Sequence, residues 1–450
     1  MIRLLETSPA QVTGLRRPQA LEAGLFLLVA ALPLAFFPLS EAAFIDVKLL
    51  VLALGTTLVW VSGLPADRRL AGPALALAGA LGLATVFGVD AAESLVGTMG
   101  SNGLVMLLCA VSLVVVAPSI PTALLERAAR WLARTSLVVA AVVVAERLAP
   151  DVLDVLARRE SFRGATFGNP VFLAGFLSAC VPAILARARG PAVWLVVSFT
   201  VVASGFAAAG ERSGYLLPWV ALAATWWFLR GDRRRYLLAG ATILVALVVW
   251  SFVPALGASS DAEVVAQFET LTGERQRVAV LGGNLLAITE RPLLGWGPAN
   301  GWSAYVSSAT SGQIRTSGRF WADAHNLPVQ VGVVSGVTGL AALAWLLLRL
   351  GPRAARPFAG RGWAAAVAVT LGVYALYEPL DVTLTPLLFL FGGAAAGGRE
   401  PPARAASTNG DGGRAEVDAA GGREGRERMA RAAVVVTLAA ATLIAGVNLG

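Results

Sequence analysis

The stretch Arg319-Phe-Trp-Ala-Asp-Ala-His-Asn326 runs straight into an apolar segment that begins at Leu327. It closes the interval 257–326, the only long polar segment between hydrophobic runs in the first 390 residues, and it carries the only histidine, His325. On either side, runs of about 15–20 apolar residues recur, the length that crosses a hydrocarbon core of about 30 Å. At 56% hydrophobic and 14% charged residues, with a mean hydropathy of +0.70, the 450-residue chain is too apolar for a soluble globular domain. The composition reads as an all-α polytopic membrane protein, in which a scaffold of helices presents the polar interval.

Hydropathy places helices at 21–37, 47–63, 71–87, 103–117, 135–149, 170–186, 192–209, 214–229, 237–255, 327–348, 363–377, 383–397 and 432–449, giving 12–13 transmembrane helices and one large loop. Basic residues collect on the cytoplasmic side of bacterial membrane proteins. With the N-terminus inside, 25 of the 36 basic residues fall on inside segments, and every short inside loop is basic. The net charge of +8 is thus mostly a topology signal, with a lipid bilayer and not a nucleic acid as the surrounding partner. The same alternation puts 257–326, Arg212 and 161–170 on the outer, periplasmic or extracellular, face of a cytoplasmic membrane. Residues 1–397 form the membrane unit. The segment 398–431, rich in Gly, Ala, Arg and Glu, reads as a disordered cytoplasmic linker before an extra span at 432–450. A last helix ending at Gly450 with no exported tail raises the expectation of a further external domain.

Cys109 and Cys180 lie inside apolar runs and read as packing residues, with no disulfide framework or thiolate metal site. Lys48, the only lysine, reads as compositional bias. Ionisable residues are nearly absent from the interior of the spans, unlike the pattern of ion-coupled transporters. Four polar constellations remain on the outer side. Gly210-Glu-Arg-Ser-Gly214 sets Arg212 at the membrane surface between glycines; the alternative is a snorkelling arginine paired with Glu211. Gly273-Glu-Arg-Gln-Arg277 precedes an amphipathic stretch, 278–288, suited to the membrane interface, and then Glu290-Arg-Pro-Leu-Leu-Gly-Trp-Gly297, where Gly295 and Gly297 permit close backbone approach. A surface helix with solvated arginines is the competing reading. His325, with a reference pKa of about 6.5, suits a general base, and Asp323 could orient it; a capping or interfacial histidine is the alternative. A lone histidine without an acidic cluster does not supply a metal-ligand set. In Ser161-Phe-Arg-Gly-Ala-Thr-Phe-Gly-Asn-Pro170, Asn169 is a helix cap and Arg163 a possible binding residue.

Together these stretches resemble the O-antigen ligase and Wzy-like polymerase superfamily of bacterial envelope glycosyltransferases. The resemblance rests on Thr166-Phe-Gly-Asn-Pro-Val-Phe-Leu-Ala-Gly-Phe176, Glu211-Arg-Ser-Gly-Tyr-Leu216, Arg277, Arg291-Pro-Leu-Leu-Gly-Trp-Gly297, Ala324-His-Asn-Leu-Pro-Val-Gln330 and Ser335-Gly-Val-Thr-Gly-Leu340. It covers about 160–345, and departs from the pattern at Ser335, where many members carry an acidic residue, and at the C-terminal linker and helix. The resemblance implies a GT-C-like membrane glycosyltransferase. Such an enzyme moves a glycan from undecaprenyl pyrophosphate to a glycolipid, polysaccharide or protein acceptor outside the cytoplasm, as in lipopolysaccharide biosynthesis. It implies inversion at the anomeric carbon without a metal or other cofactor. Arg212 and Arg277 match family positions that would stabilise the departing pyrophosphate, and His325 would accept the acceptor's proton. Arg319, Arg291 and Arg163 follow as candidate phosphate or sugar contacts, with Asn326, Asp323, Gly295 and Gly297 completing the substrate-binding set. A Wzy-like polymerase and a protein O-oligosaccharyltransferase share the donor; a transporter or flippase and a non-catalytic scaffold are the readings from other classes.

Overall fold

Short polar residues at the ends of the apolar runs start the helices. Asp67 accepts from the Arg69 N–H, Asn169 from that of Val171, and Asn326 from that of Val329, each satisfying a backbone donor that the first helical turn leaves open. The computed structural model describes residues 17–37, 44–98, 101–148, 165–187, 191–209, 213–257, 271–317, 321–358 and 360–398. Arg163, Arg212, Arg319, the segment 399–431 and the expected last span at 432–449 lie outside the described residues.

The principal helices are α1 Arg17–Leu34, α2 Asp46–Val61, α3 Arg68–Val86, α4 Leu104–Val116, α5 Thr122–Leu148, α6 Pro170–Arg187, α7 Ala192–Ala209, α8 Ser213–Leu229 and α9 Arg233–Gly257. They continue with α10 Leu271–Glu290, α11 Gly301–Ser308, α12 Ser311–Ser317, α13 Leu327–Ala354, α14 Gly362–Tyr374 and α15 Leu384–Ala395. The chain is an all-α polytopic membrane protein, as its hydropathy indicates. Among the described residues, α1, α3, α5, α6 and α13 are long and apolar enough to cross a membrane, and shorter apolar helices coincide with expected spans in α4, α7, α8, α14 and α15. The only extended structure described is a two-residue antiparallel ladder, Gly97–Thr98 with Ser101–Asn102.

Two apolar clusters fill the bundle. The larger joins α1, α2, α5, α6, α14 and α15 around Leu28, Leu132, Phe176 and Phe391, all fully buried. The smaller joins α3, α4 and α13 through Leu70, Leu77, Val114 and Leu346. Cys109 and Cys180 are free thiols buried in the larger cluster. Between helices in lipid, close packing replaces the hydrophobic effect as the cohesive force. A Cβ on Gly24 would meet the Gly55 carbonyl oxygen at 2.8 Å, which shows how closely α1 and α2 approach.

The interval 257–326 is more structured than its polarity suggested, since it contains α10, α11 and α12. Its anchor is a break in α13. Gly336 adopts φ 62°, ψ −159°, a conformation essentially reserved for glycine, and interrupts the helix. The turn after α10 fills the gap with backbone. Trp296 N–H and Gly297 N–H donate to the carbonyls of Val333 (2.8 Å) and Val334 (3.0 Å), while Val337 N–H donates to Pro292 (2.7 Å) and Thr338 N–H to Leu293 (3.4 Å). A non-helical backbone near a membrane is tolerated where protein satisfies its polar groups, as here. The break leaves 337–354, about 27 Å of helix at 1.5 Å per residue, to cross the bilayer. The preceding turns are free to hold His325.

A methyl group at Gly336 would lie 2.5 Å from the Leu293 and Pro292 carbonyl oxygens, in a φ that alanine resists. Gly336→Ala is expected to destabilise the protein by about 2–4 kcal/mol. Thermal unfolding in detergent checks this, and a midpoint within 1 °C of the parent would refute the role given to the break.

Candidate active site

The segment 321–326 is folded around one carboxylate. Asp323 accepts the backbone N–H of His325 at 2.6 Å, an Asx-type turn that holds His325 at φ +53°. The imidazole lies edge-on to Trp321, ring centroids 4.8 Å apart. Its Nδ1 lies 3.1 Å from the Asp323 carbonyl oxygen and 3.9 Å from the carboxylate. A carbonyl only accepts, so the tautomer that makes this a hydrogen bond has the proton on Nδ1 and leaves Nε2 as the basic nitrogen. Burial raises the Asp323 carboxyl to about 6, against the N–H bond from His325 that lowers it.

Arg277, on the first turns of α10, pairs with Glu378 at 2.5 Å. Glu378 is 3% exposed and Arg277 38%, so the carboxylate is in the protein and the guanidinium reaches toward solvent. Glu378 sits on the interval Ala375–Asp381 between α14 and α15, and the same interval binds the histidine segment: Leu327 N–H donates to Ala375 at 2.7 Å and Asn326 Nδ2 to Leu376 at 2.8 Å. Asp323 and Glu378 therefore open onto one cavity of about 70 Å³. Asn102 and Gln330 complete its polar mouth, and its walls descend between α3, α4, α13 and α15 past Leu81, Val111, Val331 and Phe389. The cavity is polar beside Asp323 and Glu378 and apolar elsewhere.

A second charged pair lies nearby on the same interval. Lys48, on the first turn of α2, is fully buried; its ammonium has no hydrogen-bond partner and sits 4.3 Å over the Phe167 ring. Asp381 faces it electrostatically. Burial raises the Asp381 carboxyl, opposed by Lys48 and by the N–H groups of Thr383 and Leu384. The position of the only lysine is thus structural information that compositional bias did not convey.

Four substrate-binding expectations change. Asn326 has both ends of its amide engaged, Oδ1 by Val329 N–H and Nδ2 by the Leu376 carbonyl, so it fixes the loop. A Cβ on Gly295 would come within 2.5 Å of the Val333 carbonyl oxygen, and one on Gly297 within 2.5 Å of Ser94 Oγ. Their close approach is to the protein's own atoms. Arg291 stacks on Trp296 at 4.7 Å, fourteen residues and about 21 Å along the chain axis of α10 from Arg277, which separates the two arginines. Asp323 lines the cavity and Glu378 joins it there unannounced by the sequence, while His325 and Arg277 stand behind them, held to these two carboxylates. The signal for Glu378 was a carboxylate in a short interval between apolar runs, a place where charge is costly unless used. Among the described residues no three His, Cys, Asp or Glu side chains gather as a metal site.

Asp323→Asn keeps an oxygen to accept the His325 N–H while removing the titrating charge. A carboxyl raised in the folded state destabilises it as pH rises from about 4 through 6, and the cost is complete above 6. The rise from 3.8 to about 6 corresponds to roughly 3 kcal/mol. Asp323→Asn is therefore expected to unfold at a higher temperature than the parent at pH 7.5 and at the same temperature at pH 4; equal midpoints at both pH values would contradict this.

No curated protein matches the chain. Residues 174–344 match the family model described as O-Antigen ligase. The matched interval holds Arg212, Arg277, Arg291, Gly295, Gly297, Arg319, Asp323, His325 and Asn326, with Arg163, Lys48, Glu378 and Asp381 outside it, so the chain carries a segment similar to the O-antigen ligase domain.

Proposed function

We propose that the chain transfers a glycan from undecaprenyl pyrophosphate to an envelope acceptor on the non-cytoplasmic side of the membrane, with inversion and without a metal. The match of 174–344 to the O-antigen ligase model supports an enzyme of the ligase or glycosyltransferase type; the donor, the acceptor and the residue roles are the finer reading. The observation that carries it is that Asp323, hydrogen-bonded to His325, and Glu378, paired with Arg277, line one otherwise largely apolar cavity. The apolar walls suit a polyprenyl chain. Arg277, paired with the cavity-lining Glu378, and Arg212, by the family resemblance, would meet pyrophosphate oxygens in the bidentate fashion of guanidinium groups and stabilise the charge gathering on the leaving group. His325 Nε2 would take the acceptor hydroxyl's proton as the oxygen attacks the anomeric carbon opposite the departing pyrophosphate, which inverts that centre. The chain thereby assigns charge neutralisation to arginines and proton transfer to one imidazole.

The membrane unit is 1–397, with 398–431 a cytoplasmic linker and 432–450 an added span, the His325 face directed outward. Cells producing His325→Ala or Arg277→Ala at matched protein levels test the reading by their lipid-linked glycan, glycolipid and glycoprotein profiles. Accumulated lipid-linked glycan with loss of capped acceptor supports a ligase. Product halted at a single repeat supports a Wzy-like polymerase, and loss confined to glycoprotein supports a protein O-oligosaccharyltransferase. Unchanged profiles in both variants sink the transferase reading.

A further inference from the structure

A second cavity, of about 290 Å³, opens at the other end of the bundle. It lies where α5, α6, α8, α9 and α14 come together, and Glu126, Arg187, Asp232, Arg235, Tyr236 and Trp363 stand on its wall. Trp363 begins α14, and the segment carrying Glu378 follows the end of the same helix. Its 13 residues, about 20 Å at 1.5 Å per residue, separate this cavity from the candidate active site.

Three observations point to a ligand. First, the Trp363 indole N–H has no hydrogen-bond partner although the residue is only 3% exposed; a buried donor of this kind costs about 1–3 kcal/mol unless something accepts from it. Second, the wall carries Arg187 and Arg235 beside Glu126 and Asp232, and three more arginines, Arg230, Arg233 and Arg234, adjoin Asp232 and Arg235 in the sequence. The nearest opposite pair, Arg187 with Glu126, stands at 3.6 Å between partly exposed groups, a contact weak enough to yield to a stronger anion. Third, the lining mixes these groups with Leu185 and Leu229, as a site for a headgroup with acyl chains attached requires. Arg361, by contrast, is engaged in structure: its guanidinium donates to the Ala394 and Ile120 carbonyls, each at 2.7 Å, and stiffens the cavity's surroundings.

We propose that this cavity binds the phosphate of an anionic phospholipid headgroup. Arginines 187 and 235 hold the phosphate oxygens, and Trp363 donates its N–H to the headgroup. This is the end of the bundle where basic loops collect, and the cytoplasmic leaflet is the anionic one, so basic pockets between helices there are suited to acidic headgroups. A lipid so placed fastens five helices at the ends remote from the candidate active site. The site is independent of the transferase reading.

The full-length chain, purified in a neutral detergent, is examined by native mass spectrometry and thermal unfolding with phosphatidylglycerol, phosphatidylcholine or inorganic phosphate added. Phosphatidylglycerol is expected to stay bound and to raise the unfolding midpoint, and phosphatidylcholine is not. Paired replacement Arg187→Gln and Arg235→Gln is expected to weaken phosphatidylglycerol binding by about tenfold or more. Trp363→Phe, which removes the indole donor, is expected to weaken it a few-fold and to shrink the lipid-induced rise in midpoint measured from the variant's own lipid-free value, so the test survives if the double variant misfolds. Millimolar inorganic phosphate reproducing the whole stabilisation would retain the phosphate site and make its source soluble. Equal effects of the two lipids overturn the proposal. So does an equal loss from Arg68→Gln with Arg69→Gln, a basic pair on the same expected face that does not line the cavity.

Discussion

Replacing His325 with asparagine is expected to lower glycan transfer by about 10²–10⁴-fold, the usual worth of a positioned acid–base group, with little change in apparent donor affinity. Asparagine is the informative choice because His325 sits at φ +53°. Asparagine tolerates that left-handed conformation better than most residues, so the Asx turn made by Asp323 survives and the loop keeps its shape. Its amide cannot take up a proton near neutral pH. His325→Gly relieves the backbone further and is expected to be as inactive while at least as stable. The measurement is turnover of a purified lipid-linked donor in liposomes containing the variant, with unfolding temperature as the companion reading. Turnover within threefold of the parent in either variant removes His325 from the proposed chemistry. A large fall in both, with unfolding temperatures preserved, separates the loss of a base from the loss of a fold.

Arg277 carries the second large effect, and Glu378 makes it separable into two parts. Arg277→Ala takes away the cation paired with the cavity-lining Glu378, for which about 10²–10³-fold in turnover is the expected loss. It also removes the arginine that pairs with a carboxylate only 3% exposed. Breaking a buried pair from one side costs up to about 3–5 kcal/mol. Exchanging both partners, Arg277→Gln with Glu378→Gln, is expected to recover most of the stability and none of the turnover. Glu378→Gln alone leaves a 38% exposed guanidinium that solvent screens, so its stability cost is expected to be small. If the double exchange recovered turnover, Arg277 would be a structural residue and the phosphate role would fail.

The helices were legible because a span is written in a run of apolar residues about as long as the bilayer is thick, and packing cannot hide such a run. Expected and observed limits agree closely for 192–209 and for 170–186 against Pro170–Arg187. In the candidate site the sequence drew attention to rare types in polar surroundings, His325 above all and Arg277 with it, while Arg212, set between glycines, lies outside the described residues. Glu378 and Lys48 escaped for opposite reasons. Glu378 lies 53 residues beyond His325 in an interval too short to attract notice, and only tertiary contact brings it to Arg277. Lys48 lies at the start of an apolar run, where a solvated headgroup is the ordinary outcome, yet packing against Phe167 covers it completely. Gly295 and Gly297 were read correctly as places of close approach, but sequence cannot say whether the approaching body is a ligand or the chain itself. Here it is the chain, at the interruption in α13.

That interruption has an evolutionary consequence. Four hydrogen bonds between main-chain groups join the turn after α10 to α13 at Gly336, and none of them depends on what side chains the turn carries. The attachment is therefore nearly indifferent to sequence, provided the glycines remain. If the proposed reaction holds, side chains on α10 to α12 and on the segment before His325 can diverge to meet a different acceptor while His325 and Arg277 stay where they are. A lineage can explore new specificities on this arm without first re-solving how to hold it.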